Sequence, residues 1–183
     1  TKNGVVNVHM LFEENKKNAL YVVNFVSAMY HLGDGVLVEF HPASRFPNPE
    51  VTAMVTSDYR ILYNIDRLKV APDYELYITS FHEMRHIYQH CCVDFRNKVR
   101  FSKYFKEPRE RVLQWKKEFA NYYVSEVEDD LKYLGQDCEI DAIAFSYLMM
   151  KKLYEADMSI PNVIQDKVLE RAKEIAKKMK LEL

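Results

Sequence analysis

Glycine and proline are scarce in this chain of 183 residues, with four of the first and six of the second. Tight β-turns draw on both, so an all-β protein built from many hairpins is excluded. Cysteine is equally sparse. Cys91, Cys92 and Cys138 form an odd set, and the adjacent pair is badly placed for a disulfide. Reduced thiols are therefore expected rather than a secreted disulfide framework. No run of eighteen apolar residues occurs, so no membrane span is expected. No hydrophobic core of a signal peptide follows Thr1-Lys2-Asn3-Gly4, and a cytoplasmic location is expected. Charge of one sign is missing too: 26 Lys and Arg stand against 27 Asp and Glu, a net −1. That balance argues against capture of nucleic acid by the whole surface. Finally, of six histidines, three sit at 82, 86 and 90, and none follows His90.

What is present suffices for a packed core, because 48% of the residues are apolar and 29% are charged. From Leu11 to Leu32 the residues Phe12, Leu20, Val23, Val26 and Tyr30 recur at helical spacing, and Gly33-Asp34-Gly35 stops the run. Val36 to Phe40, Val51 to Thr56 and Tyr59 to Asn64 read as three short strands, the last two joined by Ser57-Asp58. The alternation in Tyr59-Arg60-Ile61-Leu62-Tyr63-Asn64 suggests an edge strand with one wet face. After Pro72 the pattern turns helical. One helix is predicted from an Asp73 cap to about His90, and another from Pro108 to Leu134 with Gly135 as its stop. A third runs from Cys138 to about Ala156 behind an Asp137 cap, and a last one opens at Ile160-Pro161. Its Ile164, Val168, Ala172, Ile175 and Met179 form a stripe facing the body. The fold class is α+β, read as one domain over 1–183, with a sheet-containing half over about 1–72 and a helical half over about 73–183.

The chemistry lies in His82-Glu83-Met84-Arg85-His86, an H-E-x-x-H sequence inside a predicted helix. Helix residues four apart lie about 40° apart around the axis and ~6 Å along it, so both imidazoles can reach one metal ion. Glu83 projects beside them, where its carboxylate can take a proton from water. Two packed, hydrogen-bonded histidines would give the same pattern without a metal. A zinc site also needs a third protein ligand. In a continuous helix His90 lies ~12 Å along the axis from His82, too far for bonds of about 2 Å to one ion. With no later histidine, a distant ligand must be a carboxylate or Cys138, and a His, His, Glu set has the better chemical precedent.

Cys138-Glu139-Ile140-Asp141-Ala142 offers two acids about 200° apart on a helix, which cannot both face the metal directly. Glu139 is taken as the ligand, and Asp141 turns to support it, towards a ligand histidine's N–H. Glu139 can equally be an acid placed near a helix N-terminus by the dipole. Glu126, Glu128, Asp129 and Asp130 are rivals. Gln89, one turn beyond His86, is expected to hydrogen-bond a ligand, or else to be a polar surface residue.

Taken together, His82-Glu83-Met84-Arg85-His86 and, about fifty residues later, Glu139-x-Asp141-Ala142-x-x-Phe145 resemble the gluzincin type of zinc metallopeptidase. The pattern is similar to the ImmA/IrrE family and to small peptidases of phages and mobile elements, which place a strand ending in Asn, as Asn64 does, before the H-E-x-x-H helix. The resemblance implies a zincin-like fold: an N-terminal helix, a small three-stranded sheet with an edge strand, the H-E-x-x-H helix and a helical C-terminal half. It implies Zn2+ held by His82, His86 and Glu139, with Glu83 as general base in peptide hydrolysis. The oxyanion partner is expected among Tyr122, Tyr123, Tyr133 and Tyr147. The protein or peptide substrate is expected to lie along Tyr59 to Asn64, completing the sheet. The alternative is a catalytically silent zincin-like domain that binds protein or nucleic acid.

One further feature is the segment from Arg96 to Lys117, with nine Lys and Arg against two acids, a local +7 in a chain of −1 that leaves −8 elsewhere. Phe101, Tyr104, Phe105 and Trp115 are interleaved in it. The segment 96–117 can grip an acidic partner or nucleic acid, or simply form a solvated face. Cys91 and Cys92 are read as small buried hydrophobes.

Overall fold

The computed structural model describes residues 8–95, 106–123 and 131–181. Among these residues the chain is α+β: mostly helical, with one small mixed sheet. The helices are α1 (Val8–Met29), α2 (Ile65–Leu68), α3 (Asp73–Phe95), α4 (Arg109–Ala120), α5 (Leu131–Leu134), α6 (Asp137–Tyr154) and α7 (Gln165–Met179). The strands are β1 (Leu37–His41), β2 (Ala53–Val55) and β3 (Arg60–Asn64). Among the described residues no helix is long and apolar enough to cross a membrane. The chain divides into two compact units between Met84 and Arg85, a point inside α3.

In the first unit α1 buries Ala19, Val22, Val23 and Val26, with Tyr30 just beyond its end. The helix closes before the expected glycines: His31 takes the left-handed conformation at φ +56 and the Leu32 amide donates back to the Ser27 carbonyl at 2.9 Å, with Gly33, at φ +60, following. The sheet departs from the sequence reading. Its order is β1-β3-β2, with β1 parallel and β2 antiparallel to β3. The segment Tyr59 to Asn64 is therefore the central strand and not an edge. Alternation of burial reports that one face is wet, whereas the number of neighbouring strands is set by the ladders on either side. Ile61 and Tyr63 are fully buried while Arg60 and Leu62 are half-buried, and both ladders of β3 are occupied by β1 and β2. A substrate cannot add a strand there.

Asn64 ends β3 and starts α2. Its Oδ1 accepts the amide of Asp66 at 3.0 Å, and its Nδ2 donates to the carbonyls of Pro49 and Val51, each at 2.9 Å. Asn15 on α1 does the same service at the other end, donating to the carbonyls of Leu68 and Ala71 at 2.9 and 2.8 Å. Buried Tyr63 donates its hydroxyl to Ser80 at 2.8 Å and so ties the central strand to the first part of α3.

The second unit is built around α6, which is buried continuously from Cys138 to Ser146. The last helix presents the expected stripe, with Ile164, Val168, Ala172 and Ile175 buried and Met179 half-buried. The expected single helix from Pro108 to Leu134 is not continuous. α4 stops at Ala120, Asn121 leaves helical geometry at φ −135 and ψ 40, and its side chain donates to the carbonyl of Lys117 at 3.2 Å. A short polar side chain that satisfies the helix's last carbonyls ends the helix locally, whatever the hydrophobic pattern beyond it. Gly135 follows the short α5. A Cβ there would lie 2.4 Å from the Leu131 carbonyl oxygen, so only glycine fits. Asp137 is the first residue of α6 and not its cap. The amides of Asp137 and Cys138 are accepted instead by Oε1 and Oε2 of Glu118 on α4, both at 2.9 Å.

Replacing Asn64 with Ala removes the α2 cap and takes the donor from the carbonyls of Pro49 and Val51. A loss of about 2 kcal/mol or more is expected in urea unfolding. A change below about 0.5 kcal/mol, the level of an ordinary surface substitution, would show that the bonds of Asn64 contribute little.

Candidate metal centre

His82 and His86 occupy successive turns of α3, and Glu139 is the third residue of α6. Each offers one ligand atom, and the three atoms lie within 4.8 Å of one another. Ligands about 2 Å from a shared ion at tetrahedral angles are separated by roughly 3.4 Å. His86 Nε2 and Glu139 Oε1 are 3.3 Å apart. Glu139 is 1% exposed. The group can hold a metal ion. Glu83, beside His82 on α3, is buried too.

The protonation of His86 follows from its neighbours. Its Nδ1 lies 2.8 Å from Oε1 of Gln89, a residue with no exposed surface. The amide nitrogen of Gln89 is engaged elsewhere, donating to Asp141 Oδ2 at 2.7 Å and to the Cys138 carbonyl at 2.9 Å. Both of those partners are acceptors, so the amide cannot be turned round without two acceptor-acceptor clashes. Gln89 Oε1 must accept, Nδ1 of His86 must donate, and the neutral ring carries its lone pair on Nε2. That lone pair and a carboxylate oxygen then face one another at 3.3 Å. A proton, carried by the ring or by the carboxyl group, or a metal ion between them satisfies both acceptors at this distance.

Asp141 is where the structure refines the sequence expectation. It reaches the histidine through Gln89 and not directly. Its carboxylate is 1% exposed and accepts Nε and Nη2 of Arg85 at 2.7 and 3.0 Å, together with Nε of Arg171 at 2.7 Å. Burial opposes its ionisation, but the two guanidinium groups more than offset this and hold its pKa below the ordinary aspartate value. Arg85 in turn lies over the rings of Tyr88 and Phe145, 4.1 and 5.3 Å from their centroids. Arg85 and Arg171 were invisible as participants in the sequence. Neither carries a local pattern in the sequence that points to this role.

On the other side of Glu139 stands Tyr122, whose hydroxyl donates to Glu139 Oε1. Burial and the neighbouring carboxylate both push its pKa far above the ordinary phenol range. The Tyr133 hydroxyl is 3.5 Å from that of Tyr122. Tyr123 is held through its backbone: Gln136 Oε1 accepts its amide at 3.2 Å and Gln136 Nε2 donates to its carbonyl at 3.0 Å. Tyr147 is half-buried further along α6. Of the four candidate tyrosines, Tyr122 hydrogen-bonds a member of the metal-binding group.

The remaining expectations divide. His90 is stacked on Phe119, with ring centroids 4.1 Å apart. Cys91, Cys92 and Cys138 are buried free thiols, and burial pushes that of Cys91 up to about 12. Trp115 is fully buried and cannot stack on a nucleic acid base. Residues 96–105 of the basic segment, including Phe101, Tyr104 and Phe105, lie outside the described residues, as do Glu126, Glu128, Asp129 and Asp130.

Burial first, and then the charge of His86, lower the His90 pKa from 6.5 to about 4. The unfolded chain therefore takes up a proton at higher pH than the folded one, and the contribution of His90 turns unfavourable as pH falls from 6.5 towards 4. In urea titrations wild type is expected to lose stability relative to His90→Phe across that window. A difference independent of pH would contradict the assignment. Comparison with protein-family models, with curated proteins and with solved structures finds no match to this chain.

Proposed function

We propose that this chain is a zinc-dependent metallopeptidase of the gluzincin type, hydrolysing a peptide bond in a protein or peptide substrate. The observation that carries the reading is the convergence of His82, His86 and Glu139 within 4.8 Å, with Glu83 adjacent to the first histidine. Two imidazoles and one carboxylate suit zinc in an open catalytic site better than calcium or magnesium, which prefer oxygen ligands alone. A zinc ion held there supplies a Lewis acid that brings the pKa of water towards neutrality and polarises a carbonyl.

The residues then divide the work. Gln89 keeps the Nε2 lone pair of His86 directed at the ion's position. Glu83 accepts a proton from the attacking water and returns it to the leaving amine, so the general base becomes the general acid. Tyr122 brings a hydroxyl to the carboxylate of Glu139. That single O–H would have to turn from Glu139 to donate to the charge that develops on the substrate carbonyl oxygen. The free thiols fit a reducing, cytoplasmic setting.

Metal analysis of protein prepared without chelator is expected to find one zinc per chain, lost in His86→Ala and in Glu139→Ala. Glu83→Gln is expected to retain the metal while cleavage of a proteome-derived peptide library, read by mass spectrometry, falls by on the order of 10²–10⁴. Absence of zinc would remove the proposal. Undiminished cleavage by Glu83→Gln would remove the mechanism.

A further inference from the structure

We infer that Arg171, on the terminal helix, is a positioning residue for the metal centre: by fixing the Asp141 carboxylate it sets the Gln89 amide and, through it, the tautomer of His86. The inference rests on the proposed role of His86 as a ligand.

Its basis is a continuous chain of hydrogen bonds among buried groups. Arg171 Nε donates to Asp141 Oδ1 at 2.7 Å, Gln89 Nε2 donates to Asp141 Oδ2 at 2.7 Å, and His86 Nδ1 meets Gln89 Oε1 at 2.8 Å. Each link has one polarity. A guanidinium can only donate, a carboxylate beside it accepts, and an amide that donates at nitrogen presents oxygen to the ring. The Gln89 amide is oriented by two acceptors, the Asp141 carboxylate and the Cys138 carbonyl. Arg171 holds the first of them in place from α7, and the opposite tautomer of His86 would need the amide to turn its oxygen onto both.

Arg171 is built to hold still. Its Nη1 donates to Glu174 at 2.7 Å and its Nη2 to Glu107 at 3.1 Å, so the three bonds engage separate nitrogens of one planar fork. Glu107 is anchored in its own right by Lys178 at 2.5 Å and by the Tyr88 hydroxyl at 3.2 Å. Arg85 makes two bonds to Asp141, one to each oxygen. It also belongs to the ligand helix itself and would move with His86. Arg171 supplies the reference from outside α3, against which the carboxylate is fixed.

The test uses the full chain labelled with 15N. In the metal-depleted wild type, at a pH where the ring carries a single proton, long-range 1H–15N correlation of the imidazoles is expected to show His86 protonated at Nδ1 and bare at Nε2. In Arg171→Met the two nitrogen shifts are expected to converge as the tautomers mix. Zinc affinity, measured by competition with a chromogenic chelator, is expected to fall about 10- to 100-fold. Arg171→Lys, whose ammonium lacks the fork, is expected to move both readouts in the same direction by less, and it carries the test if Arg171→Met does not fold. A wild-type His86 protonated at Nε2, or variants with unchanged spectrum and affinity, would overturn the inference. The two readings fail separately. Unchanged variants that still bind zinc tightly leave the metal site standing, whereas a shifted tautomer in a chain that binds no zinc leaves the positioning role standing and removes the metal site.

Discussion

A buried carboxylate must be matched by donors or it destabilises the fold, and Asp141 is that carboxylate here. Arg85 and Arg171 neutralise it, and Gln89 takes a further lone pair. Removing one partner from such a cluster usually costs several kcal/mol, because the group left behind remains buried and charged. The second unit therefore depends on three helices meeting at one point: α3 through Arg85 and Gln89, α6 through Asp141, and α7 through Arg171. Glu139 sits two residues before Asp141 on α6 and faces away from it. The constraint that fixes Asp141 thus also fixes the rotation of α6 that brings Glu139 to His86.

The start of α6 shows the same economy. A helix N-terminus leaves amides without intrahelical partners, and those of Asp137 and Cys138 are taken by both oxygens of Glu118. The side chain of Gln136 bridges to Tyr123, next to the tyrosine that contacts Glu139. Gly135 permits the close passage of the chain over Leu131. The polar atoms that end one element and begin the next also position the carboxylate and the phenol of the candidate site.

The candidate site was legible in the sequence because its logic is periodic. Four-residue spacing places His82 and His86 on one helical face, and a 200° separation keeps Asp141 away from the position that Glu139 takes. The absence of any histidine after His90 left a carboxylate as the natural third member. The fold was legible where local chemistry decides, as at Asn64 and the stripe on α7. It was not legible where partners are distant. Strand order cannot be read from alternation, so the central strand β3 passed for an edge. Asn121 interrupts a helix that its hydrophobic pattern would continue. The role of Arg171 depends on a tertiary meeting with Asp141, thirty residues away, that no periodicity announces.

The most direct measurement is zinc K-edge X-ray absorption on the zinc-loaded protein. The account predicts nitrogen and oxygen neighbours alone at about 2.0–2.2 Å, with multiple scattering from two imidazoles. A sulfur shell at about 2.3 Å would instead place Cys138 or the adjacent cysteines at the metal and contradict the assignment of His82, His86 and Glu139.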